Sequence, residues 1–189
     1  MKKIGFAVLV SSCLLLSSCS QLHYSKTRTG EIKGRLIVEW MAPDRFLYIP
    51  DPSQPLTFTR SDKTAITPQR MITDGGSIPR PLWALRNYSP WGYGPAFIVH
   101  DWLFVMQDCQ LPGFEDWTVD EAAHVMSEVM KTLMEKPGFD YGDEATIYRM
   151  YLAVQSPPAR QAWEDRNCQS PPSPTADGWR ADAKFVIEF

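Results

Sequence analysis

The sequence predicts an α+β fold: a small antiparallel sheet packed on a central buried helix, with two or three further helices beyond it. Three observations predict it. The N-terminal half alternates apolar and polar residues in short runs cut by prolines, as short strands do. Ala96–Met106 is apolar on nearly every face, which suits a helix inside a core. Downstream, apolar residues recur at helical spacing behind clear capping signals.

The start of the chain reads as an export signal rather than as part of that fold. Lys2 and Lys3 form a positive head, and Ile4–Leu16 is an apolar run too short for a comfortable membrane span. It ends in Leu16-Ser17-Ser18-Cys19, which resembles the lipobox of bacterial lipoproteins. The resemblance implies cleavage after residue 18 and acylation of Cys19 with palmitate-type chains. Ser20, in place of Asp, implies sorting to the outer membrane, facing the periplasm. Two or more acyl chains, at roughly 0.8 kcal/mol per buried methylene, hold a protein on a bilayer durably. Residues 19–30 then read as the lipidated cysteine and a polar tether carrying His23, and 31–189 as one α+β domain.

Loss of Lys2 and Lys3 takes the formal net charge from −3 to −5. An acidic domain lacks the basic stripe that nucleic acid requires, so the expected partners are the membrane, through the lipid, and an envelope component or protein. With Cys13 in the signal and Cys19 lipidated, Cys109 and Cys168 remain as a pair in an oxidising compartment, and a disulfide between them is expected.

Ile32–Trp40 alternates with β-branched residues and predicts a first strand. Arg45–Ile49, Leu56–Arg60 and Ile66–Ile72 predict three more, with Pro43, Pro50, Pro52 and Pro55 confining them to short or edge positions. Asp74-Gly75-Gly76-Ser77 is a turn or an anion nest, its glycines free to take positive φ. Pro95 starts the buried helix. Thr118-x-x-Glu121 is a capping box for a helix ending at Pro137-Gly138. Asp143 caps the next, Pro157-Pro158 opens a short one to about Asn167, and Lys184–Phe189 reads as a strand returning to the sheet.

Inside the greasy helix stand His100 and Asp101, which need partners if buried. Helix neighbours point about 100° apart, so each is expected to meet something else, with Asp74 and the Gly75–Ser77 amides nearest by topology. Two readings stand side by side. In one, the doublet is structural and pins the glycine turn. In the other, His100 is a base, and Asp101 and Asp74 orient it or bind a metal. Asp74, Asp101 and loop carbonyls are oxygen donors of the kind calcium or magnesium takes; zinc needs more nitrogen or sulfur ligands than one central His offers. His124 falls on the polar side of its helix and reads as solvated. There is no G-x-S-x-G around Ser77 to support a serine nucleophile. Trp83, Tyr88, Trp91 and Tyr93 form either a binding rim or core.

Thr73-Asp74-Gly75-Gly76-Ser77-Ile78-Pro79-Arg80, then Trp83, then Ala96-x-x-x-His100-Asp101-Trp102-Leu103-Phe104, resembles the signature of the bacterial and phage family known as domain of unknown function 1353. The likeness runs over about residues 56–151. Gly76 and Phe104 depart from the family's usual Ala and Tyr, and Ala122-Ala123-His124 stands where members often carry Ala-Asp. The family name implies a domain, not an activity. Secreted phospholipases A2 also place His-Asp on a helix after a glycine-rich calcium loop, a likeness of arrangement only. The sequence therefore predicts a lipid-anchored envelope binding module, phage-derived in one form, with a metal-assisted hydrolase of lipid or cell-wall esters or amides as the alternative.

Overall fold

The computed structural model describes residues 18–41, 45–74, 92–139, 142–171 and 183–189. Two antiparallel sheets and a set of helices make the α+β fold that the sequence predicts. β1 (Glu31–Lys33), β4 (Thr57–Thr59) and β5 (Ala65–Ile66) form one sheet in the order β1-β4-β5. β2 (Arg35–Met41), β3 (Arg45–Tyr48), β6 (Met71–Thr73) and β7 (Ala183–Glu188) form the other, in the order β6-β3-β2-β7.

Two sheets, rather than the expected one, follow from a break inside the predicted first strand. Gly34 has φ +95°, and a Cβ there would sit 2.2 Å from the Pro55 carbonyl oxygen. Only glycine takes that backbone conformation without strain and allows that approach. The chain turns at Gly34, so Ile32 pairs with Phe58 in one sheet while Leu36 pairs with Ile187 in the other. The predicted Ile66–Ile72 strand likewise divides into β5 and β6.

α2 (Gly94–Cys109) enters the core with Pro95 in its first turn and is buried from Gly94 to His100. Gly94 marks a close approach: a Cβ there would lie 2.9 Å from Leu36 Cδ2 on β2, so that leucine would have to shift. A 3-10 turn (Phe114–Asp116) leads to α3 (Val119–Met134), where both halves of the Thr118–Glu121 capping box form. Asp143 caps α4 (Glu144–Val154) through the Thr146 amide at 2.6 Å. α5 (Pro157–Asp165) follows. Leu36, Tyr48, Phe97, Leu103, Met126 and Met130 are almost wholly enclosed, in one core between the sheets and α2–α3. At roughly 1.5–3 kcal/mol for each large apolar side chain, this burial is the main stabilising term.

The expected tether is helical instead. Residues 18–26 form α1, and it docks on α3. Lys131 Nζ donates to the carbonyls of Tyr24 at 2.8 Å and Thr27 at 2.9 Å, placing a cation on the last turn, where helix carbonyls lack partners. The Tyr24 hydroxyl donates to Glu135 Oε1 at 3.1 Å. Polar composition read as a linker, but its polar tips are bonded across to α3.

Cys109, the last residue of α2, is bonded to Cys168 beyond α5, as expected from the cysteine count.

Candidate functional site

His100 and Asp101 lie in the second turn of α2 and leave it in different directions. His100 is 5% exposed. Its Nδ1–H donates to the Ala122 carbonyl in the first turn of α3 at 3.1 Å. That carbonyl is a pure acceptor, so the proton is on Nδ1 and the neutral ring keeps its lone pair on Nε2. The ring also lies 5.0 Å from that of Phe104, which meets Trp163 of α5 edge-on at 4.9 Å. Asp101 Oδ2 accepts a short hydrogen bond from the Thr73 hydroxyl, at the end of β6. One dipeptide thus ties the buried helix to α3 on one side and to the sheet on the other.

The electrostatics follow from this enclosure. Burial pulls the His100 imidazole down to about 4, against the opposing effects of the Ala122 carbonyl and the Asp74 charge. Burial pushes the Asp101 carboxyl up to about 7, helped by repulsion from Asp74 and opposed by the Thr73 hydrogen bond. Asp101 keeps some exposed surface at residue level, yet its carboxyl group is desolvated. At neutral pH, His100 is uncharged and Asp101 sits near its midpoint of protonation.

The structure brings Asp101 to Thr73 and His100 to the Ala122 carbonyl. Asp74 is exposed and acts on both groups through its charge, and its neighbour Thr73 makes the hydrogen bond to Asp101. Gly75, Gly76 and Ser77, with Trp83, Tyr88 and Trp91, lie outside the described residues. Tyr93 is fully buried and belongs to the core rather than to a binding rim. His124 is exposed, with Nε2 3.4 Å from the Tyr151 hydroxyl. His23, expected on a free tether, is instead docked among α3 and α4 side chains. Cys19 is exposed and unpaired on α1.

Sequence reasoning missed two partners, Thr73 and the Ala122 carbonyl. Thr73 stands beside the glycine turn in the quoted motif, so a search for hydroxyl donors there would have found it. The Ala122 carbonyl is a backbone group with no side-chain signal. Among the described residues, no three His, Cys, Asp or Glu side chains gather as metal ligands do. The oxygen set proposed for calcium or magnesium from Asp74, Asp101 and the glycine loop involves residues outside the description.

No curated protein and no solved structure matches the chain. The family described as protein of unknown function (DUF1353) matches residues 53–154, from the β3–β4 turn to the end of α4. That span is more than half of the 189 residues and holds Thr73, His100, Asp101 and Ala122. With both ties inside so long a match, the chain belongs to the DUF1353 family.

Proposed function

We propose that this protein is a lipid-anchored envelope protein, held in the outer membrane through Cys19 and facing the periplasm. Its family domain is a binding module, of the kind a phage genome also carries, in which His100 and Asp101 are structural ties. One observation carries the choice of a tie over a catalytic dyad: His100 is enclosed in the core, anchored through Nδ1 to the Ala122 carbonyl, with too little exposed surface for its Nε2 lone pair to meet a substrate. A base needs access to a substrate proton within hydrogen-bond reach. The anchor rests on Leu16-Ser17-Ser18-Cys19 and on the exposed cysteine of α1. Among the described residues no helix is long and apolar enough to cross a membrane.

A second reading has its own observation. Asp101, its carboxyl pushed up to about 7 by burial and by the Asp74 charge, is an oxygen donor whose charged form a bound Ca²⁺ or Mg²⁺ would stabilise, as a metal-assisted hydrolase acting on an ester or amide of lipid or cell wall would use it. Thermal unfolding of the full chain in Ca²⁺, Mg²⁺ or EDTA separates the two. A tie gives a metal-independent midpoint and a His100→Asn variant that melts well below wild type. A midpoint raised by metal, together with an Asp101→Asn variant that folds but no longer responds, would replace it with the hydrolase. The anchor is tested separately by palmitate incorporation in bacteria, which Cys19→Ser must abolish.

A further inference from the structure

A cavity of about 480 Å³ opens beside α1, and neither His100 nor Asp101 lines it. Its walls come from α1 and the residues just after it, the β4–β5 turn, α3 and α4. The volume is within the range of small-molecule sites, roughly 300–1,000 Å³.

Aromatic rings make one side. His23 lies 4.3 Å from the Tyr151 ring and 5.5 Å from Tyr148, and His124 lies 5.1 Å from Tyr151. The ring of His23 is held in place. Ser127 Oγ–H donates to the Ala123 carbonyl at 3.2 Å, so its oxygen accepts from His23 Nε2–H, also at 3.2 Å. Burial and the neighbouring His124 lower the His23 pKa, which keeps the imidazole neutral at neutral pH.

Cations line the same cavity. Arg60 is committed: Glu128 accepts from its Nε at 2.8 Å and from Nη2 at 3.0 Å, with Asp62 at 3.9 Å. Lys26 and Arg28 also line the cavity, and among the described residues neither is held by a carboxylate. Lining cations therefore outnumber lining carboxylates on a chain whose formal net charge is −3. A positive concavity in an acidic surface concentrates anions. The donor-bearing residues come from separate elements: Lys26 at the end of α1, Arg28 just after it, Tyr148 on α4 and Ser61 in the β4–β5 turn. Two cations without a carboxylate partner among the described residues suit a phosphate ester, which carries about −1.5 to −2 charges at neutral pH, better than a singly charged carboxylate.

We propose that this cavity binds a phosphate ester, with Lys26 and Arg28 holding the phosphate and the His23–Tyr151 stack receiving the body of the ligand. The phosphate has two sources, a free ester or the headgroup of a membrane phospholipid. Only the second draws on the anchor reading, because Cys19 lies on the rim and acylation there would bring headgroups within reach.

Calorimetric titration of the purified full chain with inorganic phosphate, glycerol 3-phosphate and soluble short-chain phosphatidylglycerol tests this. Saturable binding of at least one probe is expected, weaker at high salt. Lys26→Gln with Arg28→Gln should weaken it about tenfold or more at an unchanged thermal midpoint, as loss of charge-assisted bonds does. Lys184→Gln, paired with Glu39 and absent from the cavity lining, should leave it unchanged. Phosphatidylglycerol binding more tightly than glycerol 3-phosphate identifies a lipid headgroup; the reverse order identifies a free ester. If the double variant fails to fold, the single variants, read the same way, decide. No saturable binding by any probe, or wild-type affinity in the variants, overturns the proposal. If glycerol 3-phosphate binds but palmitate does not label Cys19, the anchor falls and the site stands.

Discussion

His100 and His23 address adjacent carbonyls of α3. His100 donates directly to Ala122, and His23 reaches Ala123 through the Ser127 hydroxyl. They differ in what surrounds the rest of the ring. His100 is enclosed by core and reads as a fastener, whereas His23 borders a cavity with tyrosines and unspent cations. Histidine identity and hydrogen bonding alone do not distinguish a tie from a site. What borders the rest of the ring does.

The largest effect belongs to the fastened side: replacing both Cys109 and Cys168 by Ser should cost about 4 kcal/mol of unfolding free energy in denaturant titrations, since the bond closes a long loop at a sequence separation of 59. His100→Ala should cost about 3 kcal/mol by the same measurement, from lost packing and an orphaned carbonyl. His23→Ala, with its ring half outside the core, should cost about 1 kcal/mol. Equal losses at His100 and His23 would dissolve the distinction.

Acid titration sharpens it further. His100 is lowered from 6.5 to about 4, so the folded state binds fewer protons than the unfolded chain between those values. Its contribution is full above 6.5 and lost as pH falls toward 4. Asp101 is raised from 3.8 to about 7, so its contribution is full below 3.8 and lost as pH rises through 7. The two slopes oppose each other between pH 4 and 6.5. Asp101→Asn, which keeps an acceptor for Thr73, should leave stability rising with pH across that window. His100→Asn should leave it falling, each by at most about 1.4 kcal/mol per pH unit. Stability curves measured at several pH values check the signs, and parallel slopes in the two variants would refute them. The smallest effect is at exposed His124, where Ala should change stability by less than about 0.5 kcal/mol.

Much of the helical half was legible. The capping box at Thr118 and the cap at Asp143 are local signals, and each forms at the expected residue. The disulfide followed from counting cysteines, and the family from the motif around His100-Asp101. The two-sheet division was not legible, because it depends on the close approach of Gly34 to Pro55, two segments distant in sequence. The docking of α1 was missed for a related reason. His23 and Tyr24 look solvated until Ser127, Lys131 and Glu135 of α3 are placed opposite them. At the site, side-chain chemistry was readable and backbone chemistry was not, so Ala122 stayed hidden.

The pairing of β2 with β7 sets an order of events. β2 lies between β3 and β7, and its Leu36 and Val38 pair with Ile187 and Phe185. A nascent chain completes β2 early, and the strand that fills that side is made only after β3–β6 and the helices from α2 to α5. Closing so long a loop is slow, and an open strand edge is a template for other chains. The interval between the two strands is therefore when this protein is most exposed to self-association. Truncation before residue 183 would make that interval permanent.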